Sequence, residues 1–381
     1  MTPTTPSPTD LPPPPRCRAE IDLAALRGNV EYCQSLAGPT CEIMAIVKAD
    51  AYGHGLAPVV AHLSDTVRWF GVANLREALR AIQAAGENPI HLLLLSPATP
   101  DEIEPLVAQG FSASVSLPDE VAAYAAAAAR LGKKAKLHAV ADTGMGRIGC
   151  PPDRFAALVQ SIRQHPHCLL EGIQSHFPSA DEDADFTLAQ IEAFQNLLAT
   201  LDPGTARIHL CNSAGLIGYQ GKTPFATLAR PGLALYGTSP LPGAATALRP
   251  VMSLKTTVTL VRRIPPGTGI CYGRTFLADR EMTVATLAVG YGDGYPRHLS
   301  GSGAAVLLAG RRCPLLGRVT MDQIVVDISA LRDPVRPGDE ATLIGRQGNE
   351  EITAAELARQ AGTIPWEIYT GITRRVERVY R

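Results

Sequence analysis

The feature that most constrains this chain is a rhythm repeated eight times between residues 20 and 237. A short apolar run is followed by a polar turn and then a helical pattern. The apolar runs fall at 41–47, 68–73, 90–95, 111–115, 136–141, 169–175, 206–211 and 226–229. Several are apolar almost throughout, as strands covered on both faces must be. The helical stretches between them carry start and stop signals. Asn74 followed by Glu77 has the spacing of a capping box, with a stop at Gly86. Thr99-Pro100-Asp101-Glu102 supplies an N-cap, a first-turn proline and two acids, with a stop at Gly110. A third helix starts at Pro118 and stops at Gly132.

Eight strands alternating with helices over some 220 residues predict an α/β fold, a (β/α)8 TIM-like barrel. An open doubly wound sheet is the alternative, but it normally carries a glycine-rich G-x-G-x-x-G turn after its first strand. Here the run 41–47 is followed by KADAYGHG, so the barrel is favoured. Beyond Gly237 a Pro/Gly-rich connector intervenes and the rhythm changes. The segments 251–261, 282–289, 304–308 and 323–328 read as strands between glycine-rich turns. Helical pattern returns only near 354–361. The expected organisation is a disordered proline-rich leader at 1–17, a barrel at 18–243 and a mainly β C-terminal domain at 244–381.

Composition removes several functional classes. With 35 basic and 36 acidic side chains the net charge is −1, which argues against a surface for nucleic acid. No apolar run approaches the roughly 18 residues that span a bilayer. The eight cysteines are scattered without a C-x-x-C pair, unlike a zinc site or a disulfide framework, and suit a reducing cytoplasm. The first fifteen residues hold seven prolines and no apolar core, so they do not read as a secretory signal.

In a barrel of this kind chemistry sits at the C-terminal ends of the strands. Those positions hold Lys48, Asn74, Arg147, His176, Asn212, Ser213, Arg230, Gly232 and Leu233. The set is polar and mostly cationic. It lacks the paired carboxylates of a glycosidase and the His/Asp cluster of a metal hydrolase. Lys48 is either a solvated rim lysine or a partly desolvated amine able to form a Schiff base. The loops carrying Ser213 and Gly232-Leu233 stand where this fold commonly holds a phosphate. A lysine beside a dianion cradle makes pyridoxal 5′-phosphate the leading cofactor candidate.

At this point the motifs resemble a known family. VKADAYGHG (47–55) resembles the cofactor-lysine signature of the alanine racemases, fold-type III PLP enzymes. The likeness continues in order through DTGMGR (142–147), SHF (175–177), CNS (211–213), RPGLALYG (230–237), CYGRT (271–275), VGYGDG (289–294) and GRVTMDQ (317–323). It covers nearly the whole chain from about Arg18.

The resemblance implies an isomerase that interconverts L- and D-alanine by a two-base route and supplies D-alanine for peptidoglycan. Lys48 would bind the cofactor covalently and serve one face of the substrate Cα. Tyr272, from the other subunit of a head-to-tail homodimer, would serve the opposite face, and Arg147 and His176 would form a cationic surround that lowers its pKa. Arg230, held by His209, would face the pyridine nitrogen. Tyr52, Asn212, Ser213, Gly232 and Leu233 would complete cofactor binding, while Met321 and Tyr291 would come from the partner near the substrate. His54 and His138 read as packing residues.

Two positions depart from the family pattern. Val140 stands where many relatives have a lysine, often carbamylated, that orients the arginine matched by Arg147. Trp366 stands where many have a phosphate-contacting tyrosine, which predicts a narrower site that prefers alanine to larger amino acids. A broader or serine-selective racemase on the same scaffold is the alternative reading. A related decarboxylase is disfavoured because the Tyr272 motif stands where the racemase pattern wants it, and a PLP-binding carrier would resemble the barrel half only.

Overall fold

The computed structural model describes residues 15–241, 243 and 247–381. Most of the expected proline-rich leader, residues 1–14, lies outside the described residues. The chain forms two compact units. One is Asp22–Val251, and the other joins the strand β1 (Cys17–Ile21) to Met252–Arg381.

The first unit contains eight parallel strands: β2 (Glu42–Ile46), β3 (Trp69–Val72), β4 (His91–Leu94), β5 (Ser112–Val115), β6 (Ala135–Val140), β7 (Cys168–Gln174), β8 (Arg207–His209) and β9 (Leu228–Ala229). Each matches one of the eight apolar runs. Their order is β8-β7-β6-β5-β4-β3-β2-β9. The seam between β9 and β8 is bridged by Thr227 N–H to Ile208 O at 2.9 Å and Arg230 N–H to Cys211 O at 2.8 Å. The architecture is therefore the eight-stranded α/β barrel expected from the sequence.

The helix boundaries follow the capping signals. Leu75–Ala85 starts at Asn74, whose side chain accepts from Glu77 N–H, and Pro100–Gln109 starts at Thr99, whose N–H donates to the Glu102 carboxylate at 3.0 Å. Gly110 and Gly132 stop their helices with positive φ, 73° and 61°, which costs a glycine little. Glu77 has a second task. Its carboxylate accepts from Ala73 N–H at 2.9 Å and from Ala49 N–H at 2.8 Å, so the start of this helix holds the turn after β2.

The second unit is mainly β, with β10 (Met252–Ile264), β11 (Gly269–Ile270), β12 (Phe276–Leu277), β13 (Met282–Leu287), β14 (Ala305–Leu308), β15 (Arg311–Leu316), β16 (Ile324–Asp327), β17 (Glu340–Gln347), β18 (Glu350–Ile352) and β19 (Glu377–Tyr380). The long β10 pairs with both β13 and β17, which closes a ring β10-β17-β14-β15-β16-β13. The helix Ala354–Ala361 lies where the returning pattern put it. The sequence reading assigned residues 18–21 to the barrel and ended it at 243. In the structure β1 runs antiparallel to Met252–Thr256 and parallel to Glu377–Tyr380, and the units divide after Val251. Main-chain pairing decides this: β1 satisfies its N–H and C=O groups on two partners in the β unit. Glu20 adds ion pairs to Arg18 at 3.0 Å, Lys255 at 3.2 Å and Arg381 at 2.8 Å.

Candidate active site

Lys48 follows the first barrel strand directly, and the chain then turns in an uncommon way. Ala49, Asp50, Ala51 and Tyr52 all have left-handed backbone angles, with φ between 52° and 55°. Such angles cost a non-glycine residue about 1–2 kcal/mol each, so the surroundings must hold them. They do so with several bonds: Ala49 N–H to the Glu77 carboxylate, Gly55 N–H to Asp50 O at 2.9 Å, Leu56 N–H to Asp50 Oδ1 at 3.1 Å and Arg80 to Asp50 at 3.0 Å. The result is a rigid mount that fixes Lys48 at the rim. Partial burial pushes its amine below the ordinary lysine range, and the positive charges of Arg147 and Arg230 push it the same way. More of it is therefore neutral and nucleophilic near neutral pH.

Arg230 lies just beyond β9 and is buried. Its Nη1 donates to His209 Nδ1 at 2.6 Å, and its Nη2 donates to Ser175 O at 2.7 Å and His176 Nδ1 at 3.0 Å. A guanidinium has only donors, so both imidazoles accept on Nδ1 and carry their proton on Nε2. Desolvation lowers Arg230 to about 10, which leaves it charged at neutral pH. Burial and then the charges of Arg230, Arg147 and Lys48 lower His176 to about 3. His176 is thus neutral. It cannot supply the positive charge that the sequence reading assigned it and offers an Nε2–H donor instead.

The loops after β8 and β9 meet at Ser213, whose hydroxyl accepts from the N–H groups of Gly232 at 3.0 Å and Ala234 at 3.2 Å. Asn212 caps the short helix Ser213–Gly218, accepting from Gly215 N–H at 2.9 Å, and donates to Phe177 O at 3.2 Å. Leu233 begins a 3-10 turn that follows Gly232. A Cβ at Gly232 would overlap the Tyr52 hydroxyl. Only glycine lets the Tyr52 hydroxyl approach this backbone so closely, and hydroxyl and N–H groups of the kind that suit an anion cluster there.

Arg147 sits on an exposed loop braced by Asp142, whose Oδ1 accepts from the N–H groups of Gly144 and Gly146, both at 3.0 Å. Thr143 bonds to Ser175 at 2.7 Å. Val140 is buried in β6 opposite Gln174. Among the described residues no carboxylate pairs with Arg147.

The three remaining candidates lie on turns of the β unit. Tyr272 is 70% exposed, Met321 52% and Tyr291 40%. Cys271, Gly273 and Arg274 around Tyr272 all have positive φ, so this turn is also strained. The apolar cluster of Ile264, Ile270, Ala278, Met282, Val284 and Leu316 anchors the strands that carry it. Arg375 bridges the other two turns, reaching Asp293 at 3.2 Å and Asp322 at 2.8 Å.

Sequence reasoning missed two residues of the buried polar chain. His209 Nε2 lies 2.8 Å from His138 Nδ1, and His138 Nε2 lies 3.2 Å from Glu171. His138 is therefore joined to the site and is not a packing residue. The period-2 alternation along β6 and β7 could have put both side chains in the barrel interior, but only the parallel register brings them together.

Burial holds His138 and His209 below the ordinary histidine value of 6.5. The unfolded chain then binds more protons than the fold below about pH 6.5, so stability is lost as the pH falls, by up to about 1.4 kcal/mol per unit for each imidazole. His176, likewise depressed, is included. The depressed Glu171 carboxyl adds a loss only below its ordinary value of 4.5. Denaturant unfolding should lose up to about 4 kcal/mol between pH 7 and pH 5.5, with up to about 1.2 kcal/mol from each of His138, His209 and His176. A pH-independent midpoint over that range would show that the imidazoles are not held neutral.

Comparison with known proteins adds to this geometry. Residues 21–240 match a family model described as alanine racemase, N-terminal domain, and residues 251–380 match alanine racemase, C-terminal domain. The alanine racemase of Symbiobacterium thermophilum is 40% identical over 369 residues, spanning 95% of this chain and 96% of that protein. The crystal structure of alanine racemase from D-cycloserine-producing Streptomyces lavendulae superposes with a TM-score of 0.89 at 36% identity, covering 97% and 98% of the two chains. That of Bartonella henselae alanine racemase, described with covalently bound pyridoxal phosphate, gives 0.88 at 29% identity over 97% and 100%.

Proposed function

This chain belongs to the alanine racemase family, and we propose that it interconverts L- and D-alanine as a cytoplasmic homodimer that supplies D-alanine for peptidoglycan. The observation that carries the reading is the placement of Lys48. A partly desolvated amine on a strained, braced turn shares the strand-end face with a buried arginine and a cluster of hydroxyl and N–H groups. No helix among the described residues is long and apolar enough to cross a membrane, and all eight cysteines are unbridged.

The residues fit pyridoxal 5′-phosphate. Tyr52, Asn212, Ser213, Gly232 and Leu233 would hold its phosphate end, the glycine at 232 letting the Tyr52 hydroxyl lie against the backbone there. Lys48 would hold it covalently, while Arg230, aimed by His209 and His176, would donate toward its ring nitrogen. Bound there, the cofactor supplies an electron sink that makes the substrate Cα–H acidic. A charged arginine in place of a carboxylate would leave the ring nitrogen unprotonated, which would temper that sink and disfavour side reactions.

The chain's own groups then move the proton. Lys48 Nζ takes or returns it on one face. Tyr272 Oη of the partner subunit does so on the other, since a single group cannot reach both faces. Arg147, Met321 and Tyr291 would surround the substrate carboxylate. The exposure of Tyr272, Met321 and Tyr291 suits residues that complete a neighbouring subunit's site.

The direct test follows the optical activity of L-alanine with purified protein and added cofactor. Decay to zero supports the reading, and an unchanged signal for L-alanine overturns it. Gly232→Ala should weaken cofactor binding about 10- to 100-fold, from the ~1–3 kcal/mol cost of overpacking against Tyr52. Titration of the apoprotein with pyridoxal 5′-phosphate checks this.

A further inference from the structure

The polar chain that starts at Arg230 continues through the barrel interior to the opposite end of the strands. Arg230 Nη1 meets His209 Nδ1 at 2.6 Å, His209 Nε2 meets His138 Nδ1 at 2.8 Å, and His138 Nε2 meets Glu171 Oε2 at 3.2 Å. Both imidazoles are fully buried. At the far end the Ser112 hydroxyl donates to the same carboxylate, and Lys136 Nζ lies 3.9 Å from its other oxygen. Trp69 stacks on His91 and presents an edge to His138. Room for His138 exists because residue 172 is glycine, where a Cβ would overlap the imidazole.

The direction of every bond in this chain is forced. A guanidinium can only donate, and an ionised carboxylate can only accept. Each histidine between them must accept on Nδ1 and donate from Nε2. Without an acceptor at the far end, His138 could carry its proton on Nδ1 and donate it to His209 Nε2. His209 would then present Nδ1–H to Arg230, donor against donor in a buried site, and the guanidinium would have to shift.

We propose that Glu171 is a positioning residue for the reaction: its carboxylate, remote from the substrate, fixes the tautomers of His138 and His209 and so the direction in which Arg230 presents its guanidinium. This rests on the reading that Arg230 faces the cofactor ring.

The test uses the holoenzyme labelled with 15N-histidine. In the unaltered protein the ring-nitrogen shifts of His138 and His209, assigned with His138→Gln and His209→Gln variants, should report a single tautomer protonated on Nε2. Any other tautomer overturns the proposal without a Glu171 variant having to fold. In Glu171→Ala a second tautomer should emerge at both histidines, the visible band of the bound cofactor should shift, and kcat should fall on the order of tenfold with KM little changed, the scale typical of residues that orient a functional group. Glu171→Gln keeps an acceptor oxygen toward His138 and should restore the single tautomer and most of the band position. If Glu171→Ala is less heat-stable but retains the wild-type tautomers, band and kcat, the contact is only structural and the proposal fails. Failure of the racemase reading is distinguishable, because it would be seen in the unaltered enzyme as absence of turnover.

Discussion

Lys48→Ala lowers racemisation by more than about 10⁴-fold, the upper end of what one positioned proton-transfer group contributes. The loss should be this large because the proposed reading gives one nitrogen two roles, covalent anchor and proton carrier. Partial burial, then Arg147 and Arg230, depress its basicity, while Glu77 opposes them. The same variant should lose the borohydride-fixable attachment of the cofactor while still binding it through the polar groups around Ser213 and Gly232. Absorption spectra before and after gel filtration, with a racemisation assay, check both parts. A variant with more than a hundredth of the normal turnover would remove Lys48 from the chemistry.

Tyr272→Phe should lower kcat by about 10²–10⁴-fold while leaving the cofactor bound and the fold unchanged. The side chain is 70% exposed in the protomer, so deleting its hydroxyl orphans no buried partner there. The two-face scheme makes a sharper prediction in deuterated water. With Lys48 intact, deuterium should still enter one enantiomer of alanine, although inversion has almost stopped. Mass spectrometry of separated D- and L-alanine reads this directly. Equal loss of exchange from both enantiomers would contradict separate groups on the two faces.

Much of the fold is legible in the residues because buried parallel strands need local apolar runs and the intervening helices need caps. All eight barrel strands and the stop at Gly110 have such signals. What the sequence conceals has no local signature. The strand Cys17–Ile21 pairs with Met252–Thr256 and Glu377–Tyr380, far along the chain, so nothing near it indicates its unit. The strand Arg311–Leu316 contains Pro314, which argues against a strand when read alone. The left-handed turn at residues 49–52 contains no glycine and is imposed by Glu77 and the bonds around Asp50. In the site, the motifs locate Lys48, Arg230, Ser213 and Gly232. The neutrality of His176 and the participation of His138 and Glu171 arise from burial and strand register, which no motif records.

The placement of β1 also bears on biosynthesis. Of the β unit's strands the ribosome makes this one first, and its neighbours only after the whole of Asp22–Val251 has been made. The barrel can close while the nascent chain is still growing, but Cys17–Ile21 must wait with an unpaired edge until Met252–Thr256 emerges, and Glu377–Tyr380 later still. The first strand is therefore fully paired only once both Met252–Thr256 and Glu377–Tyr380 have been made. A chain truncated by ten residues at its C-terminus would lack β19 and leave the first strand half covered.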